Sequence, residues 1–289
     1  MVSVSTDFTR PGTSRGLFEV FRKQYLLQLL VHKELRVRYR GSILGMLWSY
    51  AKPATQFLVF YFAIGVFMGM NRNITNYVVY MFAGVVAVNY FSEIFGNCTR
   101  SLVQNQDLVK KIYLPRQLFP VSSVWVAFVH FVPQVVILII GSLIFGWRPG
   151  LKNLLAVLLA FVILTIFSLG LGLLGGAFNV LYRDAENFVD LILMVATWAS
   201  PVLYKWSMVY HVLGDWQGGW LWYVYQLNPL TTVVELFHYG FWIPTEGVSE
   251  SFPDNFSLIV VASALISILL LLIGDKVFRH YDGRFAQEL

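Results

Sequence analysis

Cysteine is nearly missing from this 289-residue sequence. Cys98 stands alone, which excludes an intramolecular disulfide and leaves no thiol cluster for a metal. Charge is scarce as well: 13% of residues are Asp, Glu, Lys or Arg and 57% are hydrophobic. A soluble domain carries about 25% charged residues, so a water-soluble fold could not cover this much apolar surface. None of the 22 glycines precedes a lysine. A Gly-Lys-Ser/Thr phosphate loop is therefore absent, and any ATP hydrolysis has to come from another chain. There is no His-Glu-x-x-His and no Asp-x-x-Asp pair for magnesium diphosphate, and the five histidines are scattered. These absences argue against an enzyme, a redox protein and a metal site. The formal charge of +5 sits in the gaps between apolar runs rather than along one basic stripe, which argues against nucleic acid as a partner.

What is present is long apolar runs. Between Lys33 and Pro53 the sequence KELRVRYRGSILGMLWSYAKP passes from a basic stretch, through Gly41-Ser42, into an apolar segment reaching Met70. More than forty mostly polar or amphipathic residues precede that run, so a cleavable signal peptide is not expected. Residues 1–13 read as a mobile tail. Residues 14–48 read as an amphipathic interface helix and elbow, with Phe18, Phe21, Tyr25 and Leu29 along one stripe. A bilayer core of about 30 Å needs roughly 20 helical residues. Six segments meet that length, near 49–70, 77–99, 118–145, 153–178, 187–204 and 256–274. With both termini inside, sixteen Lys and Arg fall on inner segments and four on outer ones, the orientation that retained positive charge demands. The expected fold class is an all-α, multi-pass integral membrane protein of six transmembrane helices with cytoplasmic termini, the last being a tail at 279–289.

Three regions stand out for function. The inner segment RSLVQNQDLVKKIYLPR, Arg100 to Arg116, reads as a short amphipathic helix, with Leu102, Val109, Ile112 and Tyr113 expected to be exposed for a partner. The turn YRDAEN, 182–187, packs Arg183, Asp184 and Glu186 together, as a structural salt bridge or a partner contact. The connection 205–255 holds apolar pieces too short to cross singly, broken by Gly214, Gly218, Gly219, Pro229 and Pro244. Such pieces suggest re-entrant helices, tolerated at membrane depth only when buried in protein or lining a wet cavity; a Trp-rich outer domain on the headgroups is the alternative. Eleven aromatics fall between Trp206 and Trp242, Trp220 and Trp222 among them, as an interfacial belt or a surface for sugar rings. Ionisable groups in apolar runs are candidates for a polar pathway: Glu93, Asp190, His130, Glu235 and His238. Gly172-x-x-x-Gly176 permits close helix approach, within the chain or in a homodimer.

Taken together, ELRVRYRGSILGMLW, NQDLVKKIYLP, LYRDAENF, SPVLY and QLNPLTTVVELF resemble, in the family's order, the permeases of ABC-type polysaccharide exporters, over roughly Leu30 to Val277. The resemblance implies a homodimer in the bacterial inner membrane, bound to two copies of a separate ATPase that holds ATP and magnesium, with no cofactor on this chain. By the same likeness 14–38 corresponds to an interfacial gate helix, 100–112 to a coupling helix and 206–242 to two re-entrant helices. ATPase coupling then falls to Gln104, Asp107, Leu108, Lys110, Lys111, Arg183 and Asp184. The implied cargo is a glycan on a polyprenyl diphosphate, closest in character to the galactan of actinobacterial cell walls. Lys33, Arg36, Arg38 and Arg40 stand where they could meet the diphosphate or anionic membrane lipids. Trp206, Trp220, Trp222, Glu235, His238 and Trp242 would line the glycan pathway. One departure is Asn89, where many relatives have a tryptophan before the aromatic pair Tyr90-Phe91. Two other readings stay open: a small-lipid or drug exporter on the same scaffold, and a membrane-embedded glycosyl or acyl transferase.

Overall fold

The computed structural model describes residues 16–112, 114–182, 184–214, 219–249, 252–253 and 255–289, and every described element is helical. The expected tail at 1–13 lies outside these residues. Among the described residues four helices are long and apolar enough to cross a bilayer: α5 (Tyr77–Gln104), α7 (Leu118–Ile144), α8 (Leu151–Leu181) and α13 (Phe256–Tyr281). Their burial runs opposite to that of a soluble bundle. The least apolar of them, α5, is the most buried, and the most apolar, α13, is the least buried. That ordering is what a lipid solvent selects, because apolar side chains gain nothing by leaving it and polar ones gain by turning inward.

The other two expected spans are not single long α-helices. The segment 49–70 begins as α3 (Trp48–Phe60), continues as a π-helical stretch Tyr61–Phe67, and is followed by the short α4 (Met70–Asn73). The segment 187–204 begins as α9 (Ala185–Ala196) and then unwinds. Its unwound part contains SPVLY, whose Val202 is fully buried against Gly84 of α5. Non-helical backbone this deep needs donors for its carbonyls, and α5 supplies them. The Tyr80 hydroxyl lies 3.0 Å from the Pro201 carbonyl and 2.7 Å from that of Tyr204, and the Tyr77 hydroxyl reaches the Leu203 carbonyl at 3.4 Å.

Before α3 run α1 (Leu17–Arg22) and α2 (Gln24–Tyr39), the expected interface helix divided at Lys23. Val20 and Leu30 are buried in the protein, while Phe21, Tyr25 and Leu29 of the expected apolar stripe are exposed. After α5 comes α6 (Gln106–Lys111), and the region expected to be re-entrant resolves into α10 (Trp206–Leu213), α11 (Trp220–Gln226), α12 (Pro229–Phe237) and a π-helical turn His238–Trp242. Helix α12 opens on an N-cap, Asn228, whose side chain accepts from the Leu230 N–H at 3.1 Å, with Pro229 in the first turn. All nine of its residues are buried. The chain ends in α14 (Phe285–Glu288).

Among the described residues two apolar cores form. The larger surrounds α5, with Tyr80, Tyr90 and Ile94 against Ile163 and Leu164 of α8 and Phe237 of α12. The smaller gathers Val20, Leu102, Val109, Leu118, Phe119, Phe278 and Phe285 at the end where Lys and Arg collect. Close crossings at glycine hold the bundle together. A Cβ on Gly172 would overlap Cys98 of α5, and one on Gly176 would meet the Cys98 carbonyl at 3.1 Å, so the Gly-x-x-x-Gly motif serves packing within the chain. Gly170 and Gly274 face each other where α8 crosses α13: a Cβ on Gly170 would lie 2.7 Å from the Leu271 nitrogen. We expect Gly170→Val to destabilise the purified protein by about 1–3 kcal/mol through overpacking. Gly141→Ala, on α7 with nothing within 4 Å of its added carbon, should leave thermal unfolding in detergent unchanged or slightly raised.

Candidate functional site

At the Lys/Arg-rich end, α2 is fastened along α5 at two levels. Asn105 follows the last turn of α5 and is buried. Its Nδ2 donates to the Ser101 carbonyl at 2.8 Å, satisfying one of the carbonyls that a helix end leaves open, and to Glu34 Oε1 at 3.0 Å; its Oδ1 accepts from Lys33 Nζ. One side chain thus ends α5 and holds α2. At the second level, Arg38 Nη1 donates to Glu93 Oε1 at 2.6 Å, and His130 Nδ1 of α7 meets the same oxygen at 2.5 Å. The Tyr39 hydroxyl lies 2.6 Å from His130 Nε2 and 2.5 Å from Ser49 Oγ of α3. Directions running from Ser49 to Tyr39 to His130 to Glu93 satisfy each atom with the Nδ1–H tautomer. This network is polar in a segment otherwise apolar, and it opens onto a cavity of about 730 Å³ between α2, α3, α5 and α7.

Below it lies the expected partner surface. Gln104, Asp107, Lys110 and Lys111 are exposed, and Leu108 is half-buried. The pair Lys111–Asp107, at 3.8 Å, is open to solvent. Leu102 and Val109, expected outside, are buried in the smaller core, because the end of α5 and one face of α6 are covered by helices from both ends of the chain. Ile112 is exposed as expected, and Tyr113 lies outside the described residues. Two arginines lock this surface in place. Arg100 donates from Nε to Glu186 Oε1 at 2.6 Å and from Nη2 to Asp190, tying α5 to the first turns of α9. Arg116 Nη1 donates to Asp282 Oδ1 at 3.1 Å while its guanidinium sits 5.9 Å from the centre of the Phe285 ring. Phe285 is fully buried, so residues 282–289 are docked on the protein rather than trailing as a tail. In the 182–187 turn, Asp184 is exposed at the start of α9 and Glu186 turns to Arg100; Arg183 lies outside the described residues.

At the tryptophan-rich end, Trp206, Tyr210, Trp222 and Gln226 line a cavity of about 480 Å³ against α13. The Trp222 ring lies 6.1 Å from Trp206 and 5.2 Å from Tyr210. Trp220 is exposed at 52% and stands outside this cluster, and Trp216 lies outside the described residues. Glu235 borders a small adjoining recess and is buried, with Oε1 unbonded among the described residues. His238 and Trp242 belong to the core: His238 stacks on Tyr80 at 3.8 Å, and Trp242 Nε1 donates to the Thr75 carbonyl at 2.7 Å. Of the four cations expected at the interface, Lys33 and Arg38 are engaged as above, and Arg36 and Arg40 are exposed with no ion pair among the described residues. Among the described residues no group of three His, Cys, Asp or Glu could hold a metal.

Sequence reasoning missed Asn105, Arg100, Arg116, Asp282 and Phe285. The one local signal was an aromatic residue in an otherwise polar C-terminal stretch, Asp282-Gly283-Arg284-Phe285.

A family model described as ABC-2 type transporter matches residues 25–242. The chain is similar to the O-antigen export system permease protein RfbA of Klebsiella pneumoniae, 29% identical over 272 residues, with 92% of this chain and 96% of the relative aligned. It is also similar to the protein of that name in Myxococcus xanthus, 28% identical over 271 residues, covering 94% of this chain and 98% of the relative. A more distant likeness is to the polysialic acid transport protein KpsM of Escherichia coli, 24% identical over 256 residues, covering 86% and 93%. The Arg116–Asp282 bond, with side chains 14% and 7% exposed, generates a test. Asp282→Ala should lower the stability of the purified protein by about 2–3 kcal/mol, because it strands a partly buried guanidinium. Asp107→Ala, which removes a solvent-exposed pair, should change thermal unfolding by nothing measurable.

Proposed function

The chain belongs to the ABC-2 type transporter family and is one of its multi-pass membrane permeases, a subunit without catalytic machinery of its own; from that premise we propose that it carries a lipid-linked polysaccharide across the bacterial inner membrane. The observation that carries this reading is similarity over nearly the whole length of chains named for polysaccharide export and transport. A glycosyl or acyl transferase is set aside by the family.

In this reading the chain crosses six times, α3 with its π-helical extension serving as the first crossing and α9 with the buried SPVLY stretch as the fifth. Lys/Arg asymmetry supports cytoplasmic termini. Two copies of the chain form the conduit, and two copies of a separate ATPase, with ATP and magnesium, drive it. Coupling falls to the exposed residues Gln104, Asp107, Lys110 and Lys111 with Leu108 beneath them, and to the neighbouring 183–184 turn. Arg36 and Arg40, exposed and unpaired among the described residues, meet the diphosphate of the carrier, while Lys33 and Arg38 hold their helix in place. The aromatic cavity of Trp206 and Trp222 lies on the exit path. Galactan is the cargo we favour. A small lipid or drug is the competing cargo, and the free arginines speak against an uncharged one.

Reconstitution of the chain with its ATPase in liposomes tests this. ATP-dependent movement of polyprenyl-diphosphate-linked galactan between leaflets is the expected result; movement without the ATPase, or of a small lipid only, overturns it. Lys110→Glu with Lys111→Glu should weaken ATPase association by at least about tenfold, as truncated or reversed charges at interfaces do. Arg36→Ala with Arg40→Ala should slow transport of the diphosphate-linked glycan and leave ATPase association intact.

A further inference from the structure

The cavity between α2, α3, α5 and α7 has a lining that the functions above do not use. It holds Asn89, Ser92, Asn97 and Gln134 beside the Arg38, Glu93 and His130 network, with Trp48 at its edge. Gln134 and His130 are more than nine-tenths buried. The Asn89 amide donates to Gln134 Oε1 at a long 3.4 Å, and neither the Ser92 hydroxyl nor the Asn97 amide has a hydrogen-bond partner among the described residues. Half-buried amides and hydroxyls facing a space of about 730 Å³ are donors and acceptors held ready at a depth where satisfying them is worth most. The volume lies within the range of roughly 300–1,000 Å³ typical of small-ligand sites.

Charge decides what kind of ligand fits. Among the described residues the one cationic side chain facing the space is Arg38, and the Glu93 carboxylate already holds it together with the His130 Nδ1–H. An anion entering would face that carboxylate and would have to displace it. Nor does an acyl chain suit a wall of amides and hydroxyls, which it would leave unsatisfied. A sugar ring suits it on both counts: its hydroxyls donate and accept in turn, as do carboxamides and serines, and its C–H face packs on an aromatic such as Trp48, which is 52% exposed.

We infer that this cavity is a subsite for a neutral sugar unit of the cargo, recognised by Asn89, Asn97 and Gln134, with the Arg38–Glu93 pair fixing its walls. The inference rests on the export reading and deepens it: glycan is gripped at the α2 level of the permease, before any contact with the tryptophans of the far end.

The test uses the chain with its ATPase in liposomes and two probes, undecaprenyl diphosphate carrying a short galactose oligomer and undecaprenyl diphosphate without sugar. Stimulation of ATP hydrolysis is titrated with each. Asn89→Leu and Asn97→Leu, close in size to the native side chain, should each raise the half-saturating concentration of the sugar-bearing probe about tenfold, the loss of one or two hydrogen bonds, and leave that of the bare diphosphate unchanged. Equal weakening of both probes would place the diphosphate there instead, and no change for either would remove the cavity as a ligand site; both outcomes overturn the inference. A second variant guards against misfolding. Asn97→Cys adds a thiol in the cavity to a chain whose native Cys98 is fully buried, so maleimide labelling reports occupancy. The sugar-bearing probe should slow labelling at least about fivefold and the bare one should not; equal protection by both, or by neither, overturns the proposal. If the unaltered complex responds to no lipid-linked glycan, the export reading itself falls. A failure confined to these variants sinks only the subsite.

Discussion

Hydrocarbon offers no hydrogen bonds, and almost every specific feature of this chain follows from the need to satisfy polar groups without it. Helices satisfy their own backbone, so the long apolar runs are helical. Where the chain departs from helix at SPVLY, the hydroxyls of Tyr77 and Tyr80 stand over its carbonyls. At Glu93, an ionisable side chain in an apolar run, partners from distant helices meet it: Arg38 and His130 converge on its carboxylate. The same rule orders the helices. With lipid outside, α5, the richest of the long four in polar positions, takes the centre, and α13 is left at the rim.

That rule also explains what could be read in the residues beforehand. Four of the expected crossings are single long helices, because a run of apolar residues set against roughly 30 Å of hydrocarbon fixes length and type together. The broken region after SPVLY was legible from its glycines and prolines, and the N-cap of α12 from Asn228-Pro229. What stayed hidden was facing and pairing. The pattern of Leu102 and Val109 beside charge suits an exposed amphipathic helix equally well, and only the arrival of Val20, Phe278 and Phe285 from the two ends of the chain buries them. Glu93 and His130 each announced themselves as costly, yet no spacing rule joins residues on separate helices to each other or to Arg38. The small-residue motif at Gly172 could serve either of two partners until Cys98 was seen to occupy it.

The two cores divide the labour. The larger lies among the crossings and is built of aromatic and branched side chains around α5. The smaller sits under α6, where the surface proposed to meet the ATPase is exposed on one side and packed on the other. A close-packed cluster has low compressibility and transmits strain. A force on Lys110 and Lys111 therefore acts on a unit that includes the ends of α5, α8 and α13, rather than on a loose connection.

The ion pairs set the direction in which that unit can yield. Arg100 binds the end of α5 to α9, and Arg116 binds the start of α7 to the C-terminal turn. Asn105 and Arg38 bind α2 to α5 at points far apart along the helix. Displacement of α6 in concert with these elements keeps Val109 covered, whereas movement of α6 alone would expose it at a cost of the order of 1–3 kcal/mol. The low-cost motion is therefore a joint one, and it carries α2 with it. Because α2 forms one wall of the polar cavity, a push received at α6 changes the shape of that cavity without any contact between the two.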